Sequence, residues 1–353
     1  MIEKRVLVPG AGGPGAVNLT RGLRMCPEPV FTVGCDASPY YVHLALTDVA
    51  ALVPRSRDED AYAAAIRDLV DRHRLTYVFP NSSLEMMVLT RRPDAIGAAA
   101  MRVPSLATQE VAASKWLTWK RWAEAGIPVP QTVAIETEAD VERAFDEIRT
   151  RPIWFRGAGI PGRGVGGAAL PCTRPIQARG WIDFHDGWGA FVASEFLPGE
   201  NLTFLAILDR GRVVTSQGRQ RDAYVIPHVS PSGITGAPAI SHTVHRADLN
   251  DLGTRAILAI DPGFDGAAFV DFKAAADGRI LPTEINAGRL GTTHHFYTAA
   301  GANFPYALMK LGLGEEPPPL PRYDALPPDL YWVRTLDAGP VLLRKRGADL
   351  VPA

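Results

Sequence analysis

The sequence predicts an α/β domain followed by a larger α+β region. Up to Pro104, short apolar runs alternate with helical patterns, as in an open parallel sheet. Farther along, the runs come as strands joined by tight turns such as Asp209-Arg210-Gly211 and Asp277-Gly278, the mark of antiparallel hairpins. With 353 residues, 46% of them hydrophobic, the chain is long enough for two or three cores of ordinary size.

In chain order, Val6–Pro9 reads as a buried strand, Gly10-Ala11-Gly12-Gly13-Pro14-Gly15 as the turn after it, and Ala16–Leu23 as a helix. Phe31–Asp36 is a second strand, Asp60–Arg74 a helix with apolar residues at helical spacing, and Thr76–Pro80 a third strand. Ala112–Ala125 reads as one amphipathic helix, stopped by Gly126-Ile127-Pro128-Val129-Pro130, with Trp116, Trp119 and Trp122 on one core-facing side. Then come a helix (Glu138–Ile148), a strand (Ile153–Phe155), a glycine-rich stretch, and strands at Ala190–Phe196 and Leu202–Leu208, the last turning into Val213-Val214. Ala247–Ile260 is helical, Ala267–Phe272 and Arg279–Ile285 form a hairpin, and Tyr297–Leu313 returns to helix. The tail after Glu315 opens on Glu316-Pro317-Pro318-Pro319, an extended linker expected to wrap the surface.

Bulk properties narrow the function. A net charge of −1 offers no broad electrostatic footprint for nucleic acid, so any anion site is local. No apolar run approaches the roughly 20 residues of a membrane span, and the N-terminus runs directly into a strand. Cys26, Cys35 and Cys172 lack metal-ligand spacing, which reads as a reduced, cytoplasmic chain. His242 with His245, and His294 with His295, have no thiol or acid at zinc spacing.

Four motifs carry chemistry. Gly10-x-Gly12-x-x-Gly15 between strand and helix, with Asp36 about 20 residues on, fits a dinucleotide fingerprint but equally any turn that presents N–H groups to an anion. In Ile153-Trp154-Phe155-Arg156 a strand delivers a cation to a stretch with six glycines among residues 157–167, Gly162 and Gly164 included, suited to closing over a triphosphate. Glu195-Phe196-Leu197, before Pro198-Gly199-Glu200-Asn201, ends an apolar strand in a hinge that can read an adenine edge. Glu284 and Asn286 share one face of a strand, and the hairpin brings Asp271 beside them, an all-oxygen set suited to Mg²⁺. Arg289 follows closely enough to hold an anion, and Arg219 and Arg221 share a strand face that can grip a carboxylate or γ-phosphate. Ser232 and Thr235 lie in a glycine-containing turn and could add donors.

Together these motifs resemble the ATP-grasp enzymes, especially the branch of the carbamoyl-phosphate synthase large chain, from the N-terminal strand to about Gly314. The resemblance implies a Rossmann-like pre-ATP-grasp domain at 1–104, a two-lobed ATP-grasp domain at 105–315 with a small lobe at roughly 127–200, and a C-terminal extension at 316–353. It implies ATP contacts from Lys115, Arg156, Gly162, Gly164, Glu195, Phe196, Leu197 and Asn201, and paired Mg²⁺ ions (Mn²⁺ as a substitute) on Asp271, Glu284 and Asn286. It gives Arg289, Arg219 and Arg221 catalytic positions. The implied activity is ATP-dependent ligation of a small-molecule carboxylate, through an acyl phosphate, to an amine or thiol, with a homodimer allowed. Three features depart from the family. Asn201 stands where an acid is common, Gly288 lengthens the motif between Asn286 and Arg289, and the single module has no amidotransferase segment, against carbamoyl phosphate synthesis itself. Two other readings stay open: a nicotinamide-dependent oxidoreductase using the N-terminal turn, and a non-catalytic nucleotide-binding protein.

Overall fold

Val6, Leu7 and Val8 are fully buried, so the first strand, β1 (Lys4–Pro9), lies inside its sheet rather than at an edge. This computed structural model describes residues 4–158, 168–229, 233, 238–335, 340–347 and 349–352. After β1 come α1 (Pro14–Arg24), β2 (Val30–Asp36), β3 (Val49–Leu52), α2 (Glu59–His73), β4 (Tyr77–Val78) and α3 (Ser83–Arg91). The strands form a parallel sheet in the order β3-β2-β1-β4. Side-chain caps start both later helices: Asp58 accepts from the Ala61 N–H at 3.3 Å and Ser82 from Glu85 at 3.1 Å. Strand β3, Val49-Ala50-Ala51-Leu52, is absent from the sequence expectation: it is only four residues long, and as an edge strand it leaves every second residue exposed. The strand expected at Thr76–Pro80 shrinks to two residues, since its outer side meets only a bridge to Ala100 and Pro80 has no N–H to extend a ladder.

The single helix expected at Ala112–Ala125 is two, α4 (Leu106–Ala113) and α5 (Lys115–Glu124). Ser114 divides them: its backbone is extended, and its Oγ accepts from the Leu117 N–H at 3.2 Å. The tryptophan row does not share one buried face. Trp122 is core, donating from Nε1 to the Ala256 carbonyl at 2.8 Å, while Trp116 and Trp119 are half-buried and stack on each other with centroids 5.1 Å apart. Steps of three residues fall about 60° short of a full turn, so Trp116 and Trp122 point roughly 120° apart.

A small antiparallel sheet follows, built from β5 (Thr132–Ile135), α6 (Glu138–Glu147), β6 (Ile153–Gly157), β7 (Ala169–Cys172), α7 (Pro175–Phe184) and β8 (Phe191–Ser194), with strand order β5-β8-β6-β7. Its buried face (Val133, Phe155, Phe191) packs on Val141 and Ala144 of α6 and Ala178 and Ile182 of α7.

The large sheet is made by β9 (Asn201–Asp209), β10 (Arg212–Tyr224), β11 (Pro238–Val244), β12 (Gly266–Ala274), β13 (Ile280–Ala287), β14 (Leu330–Arg334), β15 (Pro340–Arg346) and β16 (Asp349–Pro352). Its order is β13-β12-β9-β10-β11-β14-β15-β16. Helices α8 (Ala247–Ile260), α9 (His295–Ala299) and α10 (Phe304–Gly312) complete the chain. Strand β9 shows how this sheet joins the layers. Leu202, Phe204, Ala206 and Leu208 pack with Trp122, Leu249 and Ile257 on one face, whereas Leu205 and Ile207 pack with Leu19, Phe304 and Leu308 on the other. Both faces are covered, so Leu202–Leu208 is buried throughout, an apolar run without alternation.

Two further expectations change here. The helix expected at Tyr297–Leu313 breaks at Gly301 (φ 108°), and Asn303 caps α10 by accepting from the Tyr306 N–H at 3.0 Å. The tail does not merely wrap the surface: β14 pairs with β11, and Trp332 is 3% exposed.

Candidate active site

A cavity of about 960 Å³ lies where the three sheets meet. Every predicted site residue that the structure describes lines it: Lys115, Arg156, Glu195, Phe196, Leu197, Asn201, Arg219, Arg221, Asp271, Glu284, Asn286 and Arg289. Gly162 and Gly164, like Ser232 and Thr235, lie outside the described residues.

The β12–β13 hairpin sets the acid cluster. Register pairs Asp271 with Glu284, and Asn286 shares the Glu284 face, donating from Nδ2 to Glu284 Oε1 at 3.1 Å. Each oxygen-bearing group is met by a cation of the chain. Lys115 Nζ stands 3.1 Å from Glu284 Oε2, Arg221 Nη2 donates to Asp271 Oδ1, and Arg289 Nη2 donates to Asn286 Oδ1. Thr203 also donates to Asp271, at 2.9 Å. Glu284 sits deep in the protein yet keeps a third of its side chain open to the cleft. Burial alone would raise its pKa, but the Lys115 and Arg156 charges outweigh it and hold the carboxyl at about 2, ionised at any physiological pH.

Lys115 opens α5, fixed by its N–H to the Ala158 carbonyl at 2.8 Å. Arg156 reaches from β6 across to β13, donating from Nη2 to the Thr283 carbonyl at 2.7 Å. Burial lowers the Arg156 and Arg289 pKa values, against the pull of Glu284. Burial also brings Arg219 down to about 10; Arg221 moves the other way, because the Asp271 carboxylate overrides its desolvation. The Nε atoms of Arg156, Arg219, Arg221 and Arg289 are all buried and meet no acceptor among the described residues. Four largely buried guanidinium groups lining one cavity suit an anionic ligand.

The hinge is irregular backbone just after β8. Its Glu195 N–H donates to the Gln131 carbonyl at 2.8 Å, the Phe196 N–H to Thr150 Oγ1 at 3.1 Å, and Glu195 Oε2 accepts weakly from the Gln131 N–H at 3.5 Å. Lys273, a cleft residue that the sequence reading missed, holds the hinge by donating from Nζ to the Leu197 carbonyl at 2.6 Å. Its signal was alternation along β12, where Asp271 and Lys273 share a face.

Gly288, the added residue, takes φ 74°, and a Cβ there would stand 2.1 Å from Met86 Sδ. The extra length is absorbed in this left-handed residue, and Arg289 still reaches Asn286. At the far end, the Gly10–Gly15 turn also lines the cavity. Gly12 is glycine because a Cβ would lie 2.1 Å from the Tyr41 carbonyl oxygen, and Asp36 is engaged within the chain, accepting from the N–H groups of Gly12 (3.1 Å) and Ser38 (2.8 Å). That acid is tied to the turn and to the loop after β2, which does not favour a ribose contact. His242 donates from Nδ1 to Asp222 at 2.8 Å, and buried His294 lines the cavity.

The Asp271, Glu284 and Asn286 oxygens fit a hard cation such as Mg²⁺. Among the described residues no group of three His, Cys, Asp or Glu side chains could hold a metal; the third donor here is an amide. No described helix is long and apolar enough to cross a membrane.

No family model and no curated protein matches this sequence. Solved structures do match by shape. An L-amino acid ligase from Bacillus licheniformis aligns over 94% of this chain and 79% of its own, with TM-score 0.65 and 14% identity. A biotin carboxylase from Campylobacter jejuni, solved as a β-γ-ATP complex, aligns over 94% and 74%, with TM-score 0.69 and 15% identity. A carboxyaminoimidazole ribonucleotide synthase from Aspergillus clavatus, complexed with ATP, aligns over 94% and 81%, with TM-score 0.67 and 15% identity. At such identities the likeness shows the fold.

Proposed function

We propose, for a chain whose fold is that of the ATP-grasp enzymes, an ATP-dependent ligase that activates a carboxylate as an acyl phosphate and couples it to an amine or thiol. The observation that carries this reading is the convergence of Lys115, Arg156, Asp271, Glu284 and Arg289, from separate segments, on one cavity. Of the three structures named above, one is a ligase, one a carboxylase and one a synthase, and the last two are ATP complexes.

In this reading Glu195, Phe196, Leu197 and Asn201 surround the adenosine, and Lys115 and Arg156 meet the phosphates. Gly162 and Gly164 belong to a stretch proposed to cover them. Mg²⁺ held by Asp271, Glu284 and Asn286 would supply charge neutralisation on the phosphate oxygens. Glu284, ionised at any working pH, offers only acceptor oxygens there. A substrate carboxylate oxygen takes the γ-phosphoryl group and ADP leaves. The nucleophile then attacks the acyl carbon, phosphate departs, and the nucleophile's proton is released. Arg289, Arg219 and Arg221 hold the anionic groups while charge shifts among them, and their burial strengthens each contact. Closing the cleft excludes water that would hydrolyse the acyl phosphate. The proposed division is 1–104, 105–315 and 316–353, and the proposed setting is the cytoplasm, where the unpaired cysteines stay reduced.

The test is an ADP- and phosphate-release screen of amino acids and small carboxylates with ATP–Mg²⁺, with and without amines. Turnover with at least one pair, lost in Glu284→Gln, is the expected result. Full turnover in Glu284→Gln would overturn the metal assignment, and ATP-independent binding of NAD(H) in a thermal shift would favour the oxidoreductase instead.

A further inference from the structure

The chain after Glu315 is fastened to the strands beside Arg219 and Arg221. On β10, Thr215 Oγ1 donates to the Pro321 carbonyl and Ser216 Oγ to the Arg322 carbonyl, each at 2.8 Å. Gln217 Oε1 accepts from the Leu326 N–H, also at 2.8 Å, and on β11 Thr243 Oγ1 donates to the Pro327 carbonyl at 2.7 Å. All four side chains are buried, so each tie satisfies a polar group that the interior would otherwise strand.

This fastened segment delivers β14 to the open edge of β11. Register pairs Arg221 with Ser241, and Ser241 with Trp332, so Arg221 and Trp332 share one face of the sheet. Arg219, two residues from Arg221, lies on that face too. There the Trp332 ring covers the guanidinium, with its centroid 5.7 Å from Arg219 Cζ, inside the range of a cation–π contact. Arg219 lines the large cavity, and with Trp332 it also lines a void of about 10 Å³, too small for a substrate. The guanidinium therefore has the cleft on one side and the indole on another.

Packing alone does not account for a tryptophan here. Its Nε1 is buried and meets no partner among the described residues, a cost that phenylalanine would not carry. What the indole adds is the aromatic face that attracts a cation most strongly. The other hold on the guanidinium comes from a separate segment, through the hydrogen bond from Arg219 Nη1 to Thr293 Oγ1. Ring and hydroxyl together restrict how the guanidinium can turn.

We propose that Trp332 is a positioning residue, which holds the Arg219 guanidinium at the cavity wall to grip an anion, and that β14 is thereby part of the active site. The proposal rests on the ligation reading for the phosphate or carboxylate that Arg219 holds.

The test uses the full chain saturated with ADP–Mg²⁺, into which inorganic phosphate is titrated by calorimetry. Wild type, Trp332→Leu, Trp332→Phe, Arg219→Gln and the double variant Arg219→Gln with Trp332→Leu are compared. Trp332→Leu should weaken phosphate binding by about tenfold while ADP affinity holds, and Trp332→Phe, which restores a ring face, should recover most of it. Because Trp332 acts through Arg219, the double variant should bind no more weakly than Arg219→Gln alone. Wild-type affinity in Trp332→Leu, or losses that add in the double variant, would overturn the proposal. So would wild-type phosphate binding no tighter than that of Arg219→Gln. A second readout serves if Trp332→Leu does not fold. The Arg219 Nε–H resonance, identified by its disappearance in Arg219→Gln, should be moved upfield by the indole ring current in wild type and less so in Trp332→Phe. A resonance at the position of an ordinary arginine would overturn the contact. Failure of ADP itself to bind would count against the ligation reading instead, and the resonance would still decide whether Trp332 holds Arg219.

Discussion

Arg289 donates from Nη2 to Asn286 Oδ1 across a motif lengthened by Gly288. The added residue sits in the left-handed region, against Met86 and Pro104, and this turns the chain back so that the guanidinium returns to the acid cluster. Gly288→Ala therefore both strains the backbone and drives a methyl into Met86. It is expected to cost about 1–3 kcal/mol of stability and to lower ADP release by moving Arg289. Thermal unfolding alongside the release assay checks both; an unchanged melting temperature would count against this account of Gly288.

Glu284→Gln leaves Lys115 and Arg156 without their carboxylate. Turnover should drop by roughly 10²–10³-fold, as when a group stabilising transition-state charge is removed. The effect on stability has a defined pH window. Because the folded pKa is depressed from 4.5 to about 2, the stabilisation is fully present above 4.5 and fades as pH falls toward 2. Solvent at the open third of the side chain reduces it below the ~3 kcal/mol that the shift alone would give. Urea unfolding between pH 2 and 7 should show a decline in wild type that is shallower in Glu284→Gln.

Glu85 works in the opposite sense. Its folded pKa is raised from 4.5 to about 7 by burial, so the native state holds a proton that the unfolded chain loses. Wild type should lose stability as pH rises from about 4.5 through 7, and Glu85→Gln, with no charge to bury, should be the more stable by up to about 3 kcal/mol at pH 8. At pH 4 the two should coincide. A constant difference across that range would refute the assignment.

Arg156→Lys keeps the charge but loses the planar fork that reaches both the cleft and the Thr283 carbonyl. The KM for ATP should rise about tenfold, with a smaller change in kcat. Steady-state ADP release against ATP concentration separates the two; an unchanged KM would remove Arg156 from the nucleotide site.

Much of the candidate site was legible because its signals are local. Strand alternation put Glu284 and Asn286 on one face, the Asp277-Gly278 turn folded β12 onto β13, and both hold in the register that pairs Asp271 with Glu284. Misreadings came where neighbours decide. The α4–α5 break depends on one serine taking an extended backbone, Trp116 and Trp119 miss the core by helical geometry, and β14 exists as a strand because β11 presents an open edge to it.

From residue order alone came the acid–amide–arginine motif, the strand bearing Arg156, the adenine-type hinge and the alternation of strands and helices, all readable within short windows. Only the tertiary structure decided that these segments share one cavity, that Lys273 holds the hinge, and that Arg156 reaches across from β6 to the Thr283 carbonyl of β13. Those facts depend on which distant surfaces bury each other, and burial is a property of the packed chain.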